Sequence, residues 1–268
     1  MSRMLPLSSP MAWDLVAAPY ATDVAPFFTQ FAEHALRLAG VAKGAAIVDV
    51  ASGPGTLALA AARAGYRVSA IDFSRDMIEQ LHARAAREGI MGVSTTVGDG
   101  MSLPFADASF DAAFSLFGLM FFHDRDRGFR ELQRVLVPGG RVVITSWVPI
   151  ERVALLATLF GAVARAVPEF SIGQDALASP GDIRDEMTRA TFREVAVTEV
   201  SYALNVPSLQ ELWDSMQRTN APLAWLEKKL GPDRWQNVAV EVIGSLRDSF
   251  GSGPQRFEMI ANVGVGRK

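Results

Sequence analysis

Ile47-Val48-Asp49-Val50-Ala51-Ser52-Gly53-Pro54-Gly55-Thr56-Leu57-Ala58 decides how this chain is read. Its first four residues form a short apolar run, the pattern of a buried strand. Gly53-Pro54-Gly55 then turns the chain. Thr56 to Arg63 is alanine-rich and has strong helix propensity. A strand that turns through glycines into a helix gathers unpaired backbone N–H groups at the positive end of the helix dipole. Such a point favours an anionic or strongly polar ligand group.

Composition removes several classes of function. The chain has 268 residues, enough to bury a sizeable core in one large domain. It contains no cysteine, which excludes disulfides, thiolate metal sites and cysteine nucleophiles. Methyl transfer by attack of a cysteine on a pyrimidine ring is excluded with them. The net charge of -3 offers no phosphate-tracking surface, so a nucleic-acid partner is not expected. Mean hydropathy is +0.17, yet no apolar run approaches the ~20 residues that span a bilayer. MSRMLPLSSP lacks the apolar core of a signal peptide, and a cytoplasmic location is expected.

Outward from the glycine turn, carboxylates recur at strand ends. Tyr66 to Asp72 alternates and is β-branched, predicting a second strand that ends at Asp72. Ser74 is placed to cap a helix over Arg75–Arg87, which leaves Asp72 free to accept both hydroxyls of a ribose. Phe73 and Met77 flank it, beside the sugar and base faces. His82 falls on the solvated side of that helix. A third strand, Val93 to Val97, leads to Gly98-Asp99-Gly100-Met101. Phe110 to Ser115 is a fourth strand, followed by the apolar loop Leu116 to Phe122 and by His123-Asp124. A helix over Arg125–Leu136, a turn at Val137-Pro138-Gly139-Gly140 and a fifth strand Arg141–Trp147 complete this region.

Gly53-x-Gly55-x-x-Ala58 with Asp72 fits a dinucleotide fingerprint. Asp49-x-Ala51-x-Gly53-x-Gly55 fits a second pattern, with its acidic residue inside the strand. This second pattern resembles the first motif of class I S-adenosylmethionine (SAM)-dependent methyltransferases, with Ala51 where that family most often has glycine. Asp99 before Leu103-Pro104-Phe105, and Arg134-Val135-Leu136-Val137-Pro138-Gly139-Gly140 before a strand, resemble its later motifs. The resemblance covers roughly residues 45–148; the dinucleotide pattern accounts only for the first two strands.

The resemblance implies an α/β, Rossmann-like fold: a seven-stranded, mostly parallel sheet with an antiparallel last strand. It implies SAM as cofactor and S-adenosylhomocysteine as product. Asp49 and the loop Ala51-Ser52-Gly53 through Gly55 would take the methionine part. Asp72 would hold the ribose, and Asp99 with the N–H of Gly100 or Met101 the adenine. The Ser115 carbonyl and Leu116 backbone would hold the ammonium and sulfonium side, with Tyr20 a lid residue over the ligand. The loop Phe117-Gly118-Leu119-Met120-Phe121-Phe122 resembles that of ubiquinone/menaquinone-biosynthesis methyltransferases without their following polar pair. It also lacks the Asn/Asp-Pro-Pro-Tyr/Phe signature. An apolar loop points to a small hydrophobic or aromatic acceptor; O-, N- and C-methylation are not separated.

Methyl transfer is an in-line displacement governed by alignment and exclusion of water. Of three histidines, His123 stands where a catalytic base would reach the acceptor, although His123-Asp124 also suits a helix cap. No metal site is expected. The expected organisation is a helical lid over 1–40, a SAM-binding core over 41–150, and the rest of the sheet with an inserted helical cap over 151–268. In the lid, Pro19 and Pro26 predict a turn around Tyr20 between a short helix and a longer one. Trp213, Met216 and Trp225 in the cap suit either a substrate mouth or a small core of their own. Pairing of cap helices in a homodimer is compatible with the sequence. Two other functions fit parts of the pattern. A non-catalytic SAM-binding protein would bind SAM without turnover. An NAD(P)-dependent oxidoreductase would need a Tyr-x-x-x-Lys or similar pair, which is absent.

Overall fold

The computed structural model describes residues 6–170 and 176–268. The N-terminal part is helical: α1 (Pro10–Asp14), α2 (Ala17–Pro19), a π-helical turn Tyr20–Val24, and α3 (Ala25–Ala39). The core follows as β1 (Ala46–Val50), α4 (Thr56–Arg63), β2 (Arg67–Asp72), α5 (Arg75–Arg87), β3 (Val93–Val97), β4 (Phe110–Leu116), α6 (Arg125–Val135) and β5 (Leu136–Trp147). Then come α7 (Ala154–Ala166), α8 (Pro180–Arg189), β6 (Arg193–Val206), α9 (Leu209–Thr219), α10 (Ala221–Leu230), α11 (Pro232–Phe250) and β7 (Gln255–Arg267).

The seven strands form one sheet in the order β3-β2-β1-β4-β5-β7-β6. β1 to β5 run parallel, and β7 is antiparallel to both neighbours. Parallel strands are buried on both faces, which explains the unbroken apolar run at the start of β1. Ile47, Val48 and Val50 are fully buried. α3 and α4 pack on one face through Ala32, Ala35, Leu57 and Ala61. α6 and α8 cover the other through Phe129, Leu132, Ile183 and Met187. The cap builds its own core from α7, α9 and α11, in which Trp213 stacks on Trp235 at 5.7 Å. Among the described residues, no helix is long and apolar enough to cross a membrane.

Two local expectations are corrected. Val137 to Gly140 is not a separate turn but part of one long β5. Phe110 pairs with Leu136 and Ala112 with Arg141, so the extra residues form a bulge, with Gly139 at φ +82°. Lys268, just past β7, holds it in the ladder: Gly139 N–H donates to the Lys268 carbonyl and Lys268 N–H to the Gly140 carbonyl. Tyr20 likewise sits in a π-helical turn rather than a break. Pro26 falls in the first turn of α3, where its missing N–H leaves no bond unmade.

Candidate active site

One cavity of about 520 Å³ lies over the carboxyl ends of the parallel strands, a size typical of small-molecule sites. Strand order reverses between β1 and β4. In open α/β sheets ligands bind in the crevice at such a switch point.

The glycine turn is built on left-handed backbone: φ is +57° at Ala51, +53° at Gly53 and +80° at Gly55. At Gly55 a Cβ would lie 2.5 Å from the Leu81 side chain, so glycine lets α4 pack on α5. At Gly53 the space is open, leaving the backbone accessible from the cavity. Ala51 bears a cost of roughly 1–2 kcal/mol for an L-residue in this conformation. Gly118 provides the room it needs. A Cβ on Gly118 would sit 2.4 Å from the Ala51 Cβ. The departure at position 51 is thus matched by a glycine in the loop opposite.

Two buried carboxylates brace this turn. Asp49 is 1% exposed, and its Oδ2 accepts from the Ala58 N–H at 3.1 Å. That satisfies an otherwise orphaned donor in the first turn of α4, which has no side-chain cap of its own. Burial pushes the Asp49 carboxyl up to about 7; the Ala58 bond opposes this and the nearby Asp72 charge adds to it. Asp72 accepts from the Gly53 N–H at 2.8 Å and from the Ser74 N–H at 2.9 Å. Burial raises its carboxyl to about 6 against these bonds. Each carboxylate oxygen retains acceptor capacity for a ligand hydroxyl. Ser74 caps α5 as expected, accepting from the Met77 N–H at 3.1 Å.

Asp99 is exposed at the cavity edge, and its Oδ1 accepts from the Met101 N–H at 2.8 Å. The Met101 donor is therefore engaged within its own turn. Among the described residues, the Gly100 N–H has no such partner. Glycine is required there, since a Cβ would lie 2.5 Å from the Phe122 ring. Phe73, Met77 and Leu116 also line the cavity. Tyr20 does too, with its ring stacked on Phe28 at 6.1 Å. Burial, and then the Asp72 charge, push its phenol well above the usual range, so it stays protonated.

Two expected residues sit differently from their neighbours. Ser115 is fully buried and is not part of the cavity lining; its Oγ, without a partner, faces the space where Gly118 lacks a side chain. His123 is exposed, lines the cavity and follows Phe122, which packs on Gly100. Asp124 caps α6 by accepting from the Arg127 N–H at 2.9 Å.

The other half of the cavity lies over β4, β5, β7 and β6. Its walls include Phe28, Phe117, Trp147, Leu156, Phe160 and Met259. Phe117 is held at φ +56°, unusual for a bulky residue and a marker of local strain. Its N–H donates to the Thr145 carbonyl and Oγ1, both at 3.1 Å, and its ring packs on Trp147 at 4.4 Å. Of the cap residues, Met216 lines the cavity, Trp213 is core, and Trp225 does neither.

Sequence reasoning missed Arg84, which is 8% exposed and donates to the Pro54 carbonyl at 2.7 Å, holding the glycine turn from behind. A signal was present: Arg84 falls on the same helical face as Met77, Ile78 and Leu81.

A glycine turn at the switch point, with carboxylates at the ends of β1 and β2 and just past β3, defines a Rossmann-like nucleoside-binding domain. Residues 48–144 match the family model described as a methyltransferase domain. Over 261 residues the chain is 28% identical to nocamycin O-methyltransferase of Saccharothrix syringae, covering 91% of this chain and 92% of that protein. Over 101 residues it is 44% identical to demethylmenaquinone methyltransferase of Thermobifida fusca, covering 38% of this chain and 43% of that one. Matches to uncharacterized mycobacterial proteins span about two fifths of their length (39%). The fold is shared with the YcgJ protein of a Bacillus species at TM-score 0.61 and 20% identity, over 89% of this chain and 98% of that one.

The donor set fits SAM. Ser52 Oγ is buried without a partner at the cavity wall, an orphan that a polar ligand group would satisfy. Gly53 leaves space, Asp72 offers a charged acceptor, and Gly100 offers a free N–H.

Proposed function

We propose that the chain is a SAM-dependent methyltransferase acting on a small hydrophobic acceptor. The observation that carries this reading is the division of one cavity. Carboxylates and the glycine turn occupy the part over β1, β2 and β3, and aromatic and aliphatic side chains occupy the part over β4, β5, β7 and β6. The cofactor supplies a methyl group on a sulfonium. Asp49, Ala51, Ser52, Gly53 and Gly55 would receive its methionine part, with the Leu116 backbone beside the sulfonium. Asp72, Phe73 and Met77 would hold its ribose, and Asp99, Gly100 and Met101 its adenine.

The protein's contribution is alignment and dryness. Holding two reactants in line contributes roughly 7–11 kcal/mol without a base. The rings of Tyr20 and Phe117 present faces that attract a cation. The N-terminal helices would serve as a lid. They are tied to the core by Ser74 Oγ donating to Asp14 Oδ1 at 2.5 Å, and by Trp13 against Phe121 at 5.1 Å. The Asp23–Arg218 ion pair at 3.2 Å ties them to the cap.

The names of two relatives support methyl transfer, one to oxygen and one to a demethylmenaquinone. Incubation of the purified protein with methyl-labelled SAM and a panel of hydrophobic acceptors tests the proposal. Label should move into an organic-extractable product with equal release of S-adenosylhomocysteine. SAM binding without transfer to any acceptor would favour a non-catalytic role instead.

A further inference from the structure

One face of α5 bears on the glycine turn. Ser74 at its cap, Met77, Leu81 and Arg84 follow one another at spacings of three and four, so they share that face. Ser74 N–H donates to Asp72, and Met77 lines the cavity. Leu81 fills the space beside Gly55, where a Cβ would meet it at 2.5 Å. Arg84 Nη1 donates to the Pro54 carbonyl at 2.7 Å and reaches Thr56 Oγ1 at 3.4 Å. The helix thus fixes two adjoining residues of the turn, Gly55 by packing and Pro54 by a charged hydrogen bond.

Arg84 is an expensive prop if propping is all it does. It is 8% exposed, and among the described residues no carboxylate forms an ion pair with it. A buried cation without a counter-charge destabilises a fold, and an apolar side chain of similar size does better. Burial, then the charges of Arg87 and Arg63, hold its pKa below the usual guanidinium range. What the guanidinium lacks is an anion, and it stands behind a part of the cavity wall suited to one. α4 begins at Thr56 with no side-chain cap, and among the described residues the N–H groups of Thr56 and Leu57 have no partner. Ser52 Oγ is buried without one. Ser52, Pro54, Thr56 and Leu57 line the cavity, whereas Arg84 does not. Asp49, the other charge at this helix start, is committed to the Ala58 N–H.

We propose, resting on the methyltransferase reading, that Arg84 is a positioning residue for the cofactor: it sets the glycine turn and charges it from behind, so that the turn seats the carboxylate of SAM's amino-acid end. That carboxylate accepts from the Ser52 hydroxyl and from the open N–H groups at the start of α4. There the helix dipole and the guanidinium charge act in the same direction. Arg84 acts only through the turn and touches no reacting atom.

The test compares SAM with decarboxylated SAM, which keeps the nucleoside, the sulfonium and the ammonium and lacks only the carboxylate. Calorimetry on the wild-type protein should show SAM bound at least about tenfold more tightly. In Arg84→Met, SAM should bind about tenfold or more weakly than in wild type, while decarboxylated SAM binds as before. Arg84→Gln, which keeps a donor and drops the charge, should behave like Arg84→Met. Arg84→Lys, which keeps the charge, should restore much of the preference. The urea midpoint of the ligand-free neutral variants should stay near that of wild type, since loss of the Pro54 bond is offset by removal of a buried, unpaired charge.

Equal binding of the two ligands by wild type would overturn the proposal and leave the methyltransferase reading intact. Equal weakening of both ligands in the neutral variants, an Arg84→Lys no better than Arg84→Met, or loss of folding in both neutral variants would also overturn it, and would make Arg84 a prop of the fold. Failure of the wild-type protein to bind SAM would overturn the reading beneath it.

Discussion

Replacing Asp72 by Asn should separate function from stability. The carboxylate is 5% exposed, and burial raises its carboxyl from 3.8 to about 6. The folded protein thus holds this proton more tightly than the unfolded chain. Stability from this group falls as pH rises from about 4 to about 6 and stays low above that. A shift of about two units means the ionised carboxylate costs about 3 kcal/mol at neutral pH. Asn removes that charge at constant size. Its NH₂ would face either the Gly53 or the Ser74 N–H, a mismatch of about 1–3 kcal/mol. Ligand-free Asp72→Asn is therefore expected to match or exceed wild-type stability by up to about 2 kcal/mol in urea denaturation at pH 7.5. SAM binding should move the other way. Two ribose hydroxyls lose charge-assisted bonds of about 1.5–3 kcal/mol each, or roughly 10²–10⁴-fold in affinity. Calorimetry measures this directly. A folded Asp72→Asn that binds SAM within about threefold of wild type would refute the ribose assignment.

SAM affinity should rise between pH 5.5 and 7.5 with proton release, because a cationic ligand favours the ionised forms of Asp49, raised to about 7, and Asp72, raised to about 6. Titration in buffers of different ionisation heat measures it, and a flat or falling affinity would contradict it. Gly118→Ala should cost about 1–3 kcal/mol of stability and weaken SAM binding, since its Cβ collides with that of Ala51. Adding Ala51→Gly should restore much of both, and strict additivity in the cycle would argue against the coupling. Trp213→Ala should cost roughly 3–5 kcal/mol by chemical denaturation, with SAM affinity held in protein that remains folded. His123→Ala should retain kcat within about tenfold, and a loss on the order of a hundredfold or more would make it a base.

Much of this architecture was legible because its signals are local. Apolar β-branched runs, the glycine turn and the Ser74 cap each depend on neighbours in sequence, and α4, α5 and β3 have the bounds expected of them. The placement of Asp49, Asp72 and Asp99 was legible for the same reason, since each lies at or just past the carboxyl end of a strand. What the sequence hid depends on contacts between distant segments. Gly118 reads as one more loop glycine until it faces Ala51, 67 residues earlier. The bulge in β5 is held by Lys268, well over a hundred residues away in sequence. The π-helical turn at Tyr20 follows from how the segment between two prolines packs. The sequence offers the Ser115 carbonyl through its place near the end of β4, but does not show that its buried Oγ lies against Gly118.

The central claim is tested most directly by calorimetric titration of the purified protein with SAM and, separately, with NADH. The account predicts one-to-one binding of SAM and none of NADH. Binding of NADH without SAM would return Gly53-x-Gly55-x-x-Ala58 to a dinucleotide site, and binding of neither would leave the paired Ala51 and Gly118 as the first places to look for a lost function.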